Sequence, residues 1–157
     1  MVDGTHLHGK YKGNLMIATA QDANNQIYPL AYAVVDSEND AAWTWFFEQL
    51  HNVIPSTSSL VFVSDRHKSI ATSIEKVYKS AIHVVCTRHL KENLKTLFKN
   101  KGIHSLFTLA SESYTEIEFQ YYLNNFFEMN PVYSSVQRLK QQLYMIFSPF
   151  SRCGYVN

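Results

Sequence analysis

The sequence predicts an α/β fold, in which a mixed β-sheet is flanked by helices. Short apolar runs rich in β-branched residues alternate along the chain with amphipathic segments of helical spacing. The chain has 157 residues, of which 46% are hydrophobic, and this is enough for one domain with a substantial core. A formal net charge of +1 excludes a strongly basic DNA-coating protein but allows a local basic patch.

The first third of the chain predicts a β-hairpin. Residues 13–22 and 26–36 are apolar runs, and the sequence QDANNQ between them has the composition of a turn. Pro29 suits the start of its strand or an edge position. Asp3 comes before the hairpin, where a short apolar start gives way to the polar segment DGTH. We therefore expect Asp3 to lie at the end of a strand.

Helices and strands then alternate. A helix is predicted after a cap at Asn39 or Asp40, and a buried strand is predicted over residues 60–63. A second helix begins near His67, and the strand AIHVVC and the helix RHLKENLKTLF follow. The buried stripe of the first helix is predicted to contain Trp43, Phe46, Phe47, Leu50, Val53 and Ile54.

The last third of the chain is predicted to be helical. Thr115 and Glu118 have the spacing of a capping box, which marks the start of a helix. After Pro131, residues 136–147 form a further amphipathic segment. No apolar run approaches the roughly 20 residues that a membrane span needs.

Two aspartates can form a metal site. Asp3 and Asp65 each follow a strand-like run, and ligands collect beyond the carboxyl ends of neighbouring parallel strands. Two converging carboxylates repel each other unless a divalent cation such as Mg²⁺ lies between them. Simpler roles stay open, because Asp-Gly is a common turn pair and an aspartate before a helix is an ordinary N-cap.

Cys86 and His89 form a C-x-x-H pair, which can supply half of a tetrahedral zinc site. The second half is not evident, because His83 and Cys153 lack a diagnostic spacing. A buried cysteine and a hydrogen-bonded histidine are the alternative. Basic residues near the aspartates are candidates for contacts with DNA phosphates, or for ordinary solvated positions. These candidates are His6, Lys10, Lys12, Arg66, His67, Lys68 and Arg88.

Together these segments resemble the catalytic domain of plant-type Mutator-like element (MULE) transposases. The likeness is carried, in order, by DGTHLHGKYKGNLMIATAQDANNQIYPLAYAVVDSENDAAWTWFFEQL, VFVSDRHKSI and VVCTRHLKENL. The resemblance implies an RNase H-like fold and DDE-type cleavage and transfer of DNA strands with Mg²⁺ or Mn²⁺, in the nucleus. Asp3 and Asp65 match the first and second catalytic aspartates of the family. Cys86 and His89 match its C-x-x-H signature.

The resemblance also divides the chain into an RNase H-like core, residues 1–100 with most of the first strand missing, and a helical insertion, residues 101–157. The third catalytic acid of the family, a glutamate, lies past such an insertion, and the sequence stops at Asn157 about where that segment begins. We do not assign this role to Glu112, Glu116, Glu118 or Glu128. We expect a fragment, truncated at both ends, that cleaves DNA poorly or not at all alone.

The sequence is thus interpreted as a fragment of a DDE transposase catalytic domain. Its expected partners are transposon ends, target DNA and further copies of the chain, with no membrane. Two alternatives stay open. One is a transposase-derived DNA-binding module that regulates transcription. The other is a structural domain that depends on zinc bound at Cys86 and His89.

Overall fold

The computed structural model describes residues 1–10, 12–22, 24 and 26–129. The predicted α/β class is confirmed, and the chain forms two compact units, Met1–His83 and Val84–Asn157. The division into residues 1–100 and 101–157 stays a prediction. Strands and helices follow in the order β1 (Val2–Leu7), β2 (Gly13–Gln21), β3 (Ile27–Val35), α1 (Asp40–His51), β4 (Val61–Ser64), α2 (Lys68–Val77), β5 (Ile82–Val85), α3 (Thr87–Leu97), α4 (Lys101–Ser111) and α5 (Glu116–Glu128).

The first three strands form an antiparallel sheet in the order β1-β2-β3. The hairpin of β2 and β3 is as predicted, and Pro29 lies in β3, the edge strand, where its missing N–H is tolerated. The expectation that a strand ends at Asp3 is wrong. Strand β1 continues to Leu7, because residues 2–7 pair with residues 13–18 of β2. The two apolar residues before Asp3 do not predict this pairing, which depends on β2.

The core of the first unit forms between this sheet and two helices. Helices α1 and α2 pack against each other, and their apolar side chains meet Val2 and Met16 of the sheet and Phe62 of β4. Large aromatic side chains fill this space, with Phe47 in edge-on contact with both Phe62 and Tyr78. Val53, predicted in the buried stripe, is 80% exposed because α1 ends at His51.

The second unit has a core of its own, built by α3, α4 and α5. Thr115 caps α5 as predicted, with its hydroxyl accepting the amide of Glu118 at 3.3 Å. Helix α4 was not predicted as a separate element; its cap is Asn100, whose side chain accepts the amide of Gly102. The predicted segment 136–147 lies outside the described residues. None of the helices in the described part of the chain is both long and apolar enough to span a membrane.

Candidate functional site

Asp3 is the second residue of β1. Its half-buried side chain accepts a hydrogen bond at Oδ1 from the amide of Gly4, 3.0 Å away. Side chains alternate between the two faces of a strand. Val2 is 1% exposed and belongs to the core shared with α1 and α2. Asp3 therefore lies on the opposite face of the sheet, in the same cross-strand row as Ile17 and Tyr32.

Asp65 follows the last residue of β4 directly. Its Oδ1 accepts the amide of His67 at 2.9 Å, which makes a local turn before α2. The N-cap residue of α2 is His67, and no side chain caps this helix by a hydrogen bond. The simple N-cap role for Asp65 is therefore not what the structure shows. Along β4, Phe62 and Ser64 are buried and Val61 and Val63 are less so, and the half-buried Asp65 follows where the strand has ended.

Strand β1, which carries Asp3, and strand β4, which ends directly before Asp65, are neighbours. Strands β1 and β4 are in contact, and the start of β1 and residues 60–63 line the same cavity of about 350 Å³. Further along both segments, Glu38 lies beside Gly4 and approaches His67. The start of β1 lies near residues 60–63, and Gly4, further along β1, lies near His67 through Glu38. The two segments therefore run in the same direction.

Glu38 connects these two segments, and nothing in the sequence singled it out. Its Oε1 accepts the indole N–H of Trp43 at 3.0 Å and lies 4.0 Å from Nδ1 of His67. A Cβ atom built on Gly4 would be 2.9 Å from the same oxygen. Glu38 thus occupies the core side of β1, behind Asp3, and it reaches toward the turn that contains Asp65.

A second feature behind Asp65 involves Ser64 and His83. Nε2 of His83 lies 2.8 Å from the hydroxyl of Ser64, and this hydroxyl lies 2.6 Å from the backbone carbonyl of Asp65. Burial lowers the pKa of His83, and the negative charge of Asp65 opposes that shift in part. His83 was considered only as a supplementary zinc ligand from the sequence, whereas the structure brings it to the acidic turn.

The predicted DNA-contact residues are distributed over both units. His6 and Lys12 line one pocket of about 440 Å³, together with His8 and Asp36, so the turn after β1 brings these two candidates together. Lys10, Arg66 and Lys68 are exposed in the first unit, and His67 is half-buried. Arg88 is exposed on α3 in the second unit.

Cys86 and His89 lie at the start of α3. Cys86 is the N-cap residue, and its side chain makes no capping hydrogen bond. His89 is half-buried in the first turn of the helix. Across the described residues, no group of three or more His, Cys, Asp or Glu side chains is arranged to hold a metal ion. The described chain therefore offers Cys86 and His89 no complete zinc ligand set, and Cys153 lies outside it.

Together, the fold and the site define an α/β domain in which Asp3, on β1, and Asp65, directly after β4, lie on neighbouring segments. The family model of the MULE transposase domain matches residues 1–93, which is more than half of the chain. The chain belongs to the MULE transposase domain family. No curated protein matches it.

Proposed function

We propose that this MULE-family domain is the catalytic part of a DDE-type transposase with an RNase H-like fold, acting on DNA. The observation that carries the proposal is the relation of Asp3 to Asp65. Asp3 lies on β1, Asp65 directly follows β4, and these two strands are in contact. Strand alternation assigns Asp3 to the face away from the core. Two carboxylates on neighbouring segments can share a divalent cation.

The residues fit Mg²⁺ or Mn²⁺, because both ions prefer carboxylate oxygen and Mg²⁺ accepts one or two carboxylates with water and phosphate oxygens as further ligands. When bound, such an ion activates water and stabilises the charge that develops on the phosphate. Two carboxylates about 4 Å apart repel each other by about 4 kcal/mol at an effective dielectric near ~20, and a cation removes this repulsion. The ligands assigned to the protein are Asp3 and Asp65.

The chain itself orients these carboxylates and binds the substrate. The amides of Gly4 and His67 each hold one carboxylate oxygen, which limits the rotation of Asp3 and Asp65. Exposed cations at Lys12, Arg66 and Lys68 can contact phosphates on either side of the scissile bond. In the cleavage step, water adds to the phosphorus and a 3′ hydroxyl leaves. That hydroxyl then attacks a target phosphodiester, in the nucleus where the DNA lies.

The test is the nicking of a labelled DNA duplex in the presence of Mn²⁺ or Mg²⁺. We expect weak cleavage by this chain, because its described residues provide no third ligand of the His, Cys, Asp or Glu type at the site. Asp65→Asn and Asp3→Asn are expected to abolish the residual cleavage. Asp40→Asn, a substitution of the exposed first residue of α1, is the matched control and should leave it unchanged.

Equal cleavage by the wild type and Asp65→Asn would contradict the role of Asp65. Strong cleavage by the wild type would contradict the need for a further acid. DNA binding that weakens with salt, without any metal-dependent nicking, would instead support the binding module that regulates transcription. Zinc bound in stoichiometric amount and lost in Cys86→Ser would support the zinc-dependent structural domain.

A further inference from the structure

A chain of hydrogen bonds leads from β5 to the backbone of Asp65. The imidazole of His83 and the hydroxyl of Ser64 are 2.8 Å apart, and the hydroxyl donates to the carbonyl oxygen of Asp65 at 2.6 Å. Ser64 is 1% exposed, so water cannot readily replace either partner. On the carboxyl side, the amide of His67 holds Oδ1 of Asp65. Asp65 is thus held at its main chain and at its side chain.

The donors in this chain can be assigned. A serine hydroxyl carries one hydrogen, and here it points to the carbonyl of Asp65. The bond between Ser64 and His83 therefore needs its hydrogen from Nε2 of His83, which leaves Nδ1 as the unprotonated nitrogen of a neutral ring. The direction of donation runs from His83 through Ser64 to Asp65, and each bond orients the next group.

We propose that Ser64 and His83 are positioning residues, which fix the backbone of Asp65 so that its carboxylate points to the metal. This inference rests on the proposed function. Groups behind a metal ligand orient it, and their loss lowers metal affinity or activity roughly 10- to 100-fold. Neither residue needs to touch the metal or the DNA. The alternative role is a purely structural one, in which the two side chains merely satisfy each other inside the first unit.

The experiment measures Mn²⁺ affinity of the full 157-residue chain by electron paramagnetic resonance of the free ion. We expect Ser64→Ala and His83→Leu to weaken Mn²⁺ binding roughly 10- to 100-fold. His83→Gln keeps an N–H donor near the position of Nε2, and it should restore most of the affinity. The matched control is His51→Gln, because His51 is half-buried in the same unit against Tyr78 and lies outside this hydrogen-bonded chain.

The outcomes separate this inference from the proposed function. If Asp65→Asn binds Mn²⁺ as tightly as the wild type, both are overturned. If Asp65→Asn weakens binding whereas Ser64→Ala and His83→Leu do not, the positioning role is overturned and the proposed function stands. If His83→Gln binds as weakly as His83→Leu, hydrogen bonding by residue 83 is not the cause of the loss, and the inference is overturned as well.

A measurement on the wild type covers the case in which the variants do not fold. The ¹⁵N chemical shifts of the histidine ring, measured at neutral pH, report which nitrogen carries the hydrogen. We expect His83 as the neutral Nε2–H form. A ring protonated on Nδ1 alone would contradict the assigned direction of donation and overturn the inference.

Discussion

Because Gly4 has no side chain, the carboxylate of Glu38 can lie close to its backbone. A methyl group there would come within 2.9 Å of Oε1, so the end of the Glu38 side chain would have to shift, and this shift would disturb its hydrogen bond with the indole N–H of Trp43. The absence of a side chain at this one position therefore permits a contact between β1, the loop before α1 and the turn at His67.

Gly4→Ala is expected to lower the free energy of unfolding by about 0.5–1.5 kcal/mol, the usual net contribution of one hydrogen bond. Urea unfolding of the single variants and of the double variant with Glu38→Ala measures the effect. Once Glu38 is shortened, the alanine meets no carboxylate, and its added cost should fall below about 0.5 kcal/mol. Equal costs in both backgrounds would show that the Glu38 contact does not determine the need for glycine.

Tyr78 couples the stability of the first unit to alkaline pH. Its side chain is 1% exposed, its hydroxyl donates to the carbonyl of Ile54 at 3.0 Å, and burial raises its pKa from 10.0 to about 12. The unfolded chain loses this proton near pH 10.0, before the folded chain does. The stabilisation of the folded state by protonated Tyr78 is therefore complete below that pH and is lost as the pH rises toward about 12.

We expect the free energy of unfolding to fall more steeply between pH 10.0 and about pH 12 in the wild type than in Tyr78→Phe, which has no phenol to titrate. Urea unfolding at each pH provides the comparison. Other tyrosines and the lysines titrate in both proteins, so only the difference between the two curves reports on Tyr78. Parallel curves would mean that the phenol has the same pKa in both states.

Among the elements, α1 depends on its N-cap residue, Asn39. Asn39 is extended, and its side-chain oxygen accepts the amide of Ala42 at 2.9 Å. The helix presents Trp43, Phe46, Phe47 and Leu50 to the core, so an N-terminus that frays would disturb both the core and the loop that carries Glu38.

Asn39→Ala should therefore lower the free energy of unfolding by about 1 kcal/mol, the usual value for a lost N-cap. Asn52→Ala is the matched control at the other end of the same helix, where the cap contact is made by the backbone. Thermal or urea unfolding should show less than about 0.5 kcal/mol for that change. A similar loss in the two variants would contradict a capping role for Asn39.

Periodicity predicted most elements, because apolar spacing and caps are local properties of the chain. Helices α1, α2, α3 and α5 and the β2–β3 hairpin follow from such signals. The extent of β1 did not, because its polar residues become a strand only through pairing with β2. For the same reason Glu38 was missed: its partners Gly4, Trp43 and His67 are brought to it by the fold.

For the whole molecule, the candidate site lies within the first unit, and the C-x-x-H pair lies in the second. From the sequence, the two aspartates and the cysteine–histidine pair were two separate candidate sites. The structure brings β1, which carries Asp3, into contact with β4, which ends directly before Asp65, and no spacing rule reveals this contact. Which strands become neighbours is a property of the whole fold, and here β2, β3 and α1 lie between β1 and β4 along the chain.

Strand β3 also has a consequence for handling the protein. It is the edge strand of its sheet, has no charged residue over Ile27–Val35, and exposes Tyr32 at 79% and Val34 at 65%. An uncharged, apolar edge is a template for aggregation. Val34→Lys should raise soluble yield and delay light scattering on warming. Val53→Lys, at a valine that is even more exposed but lies outside any strand, should do neither. Identical scattering curves for both would mean that other surfaces limit solubility.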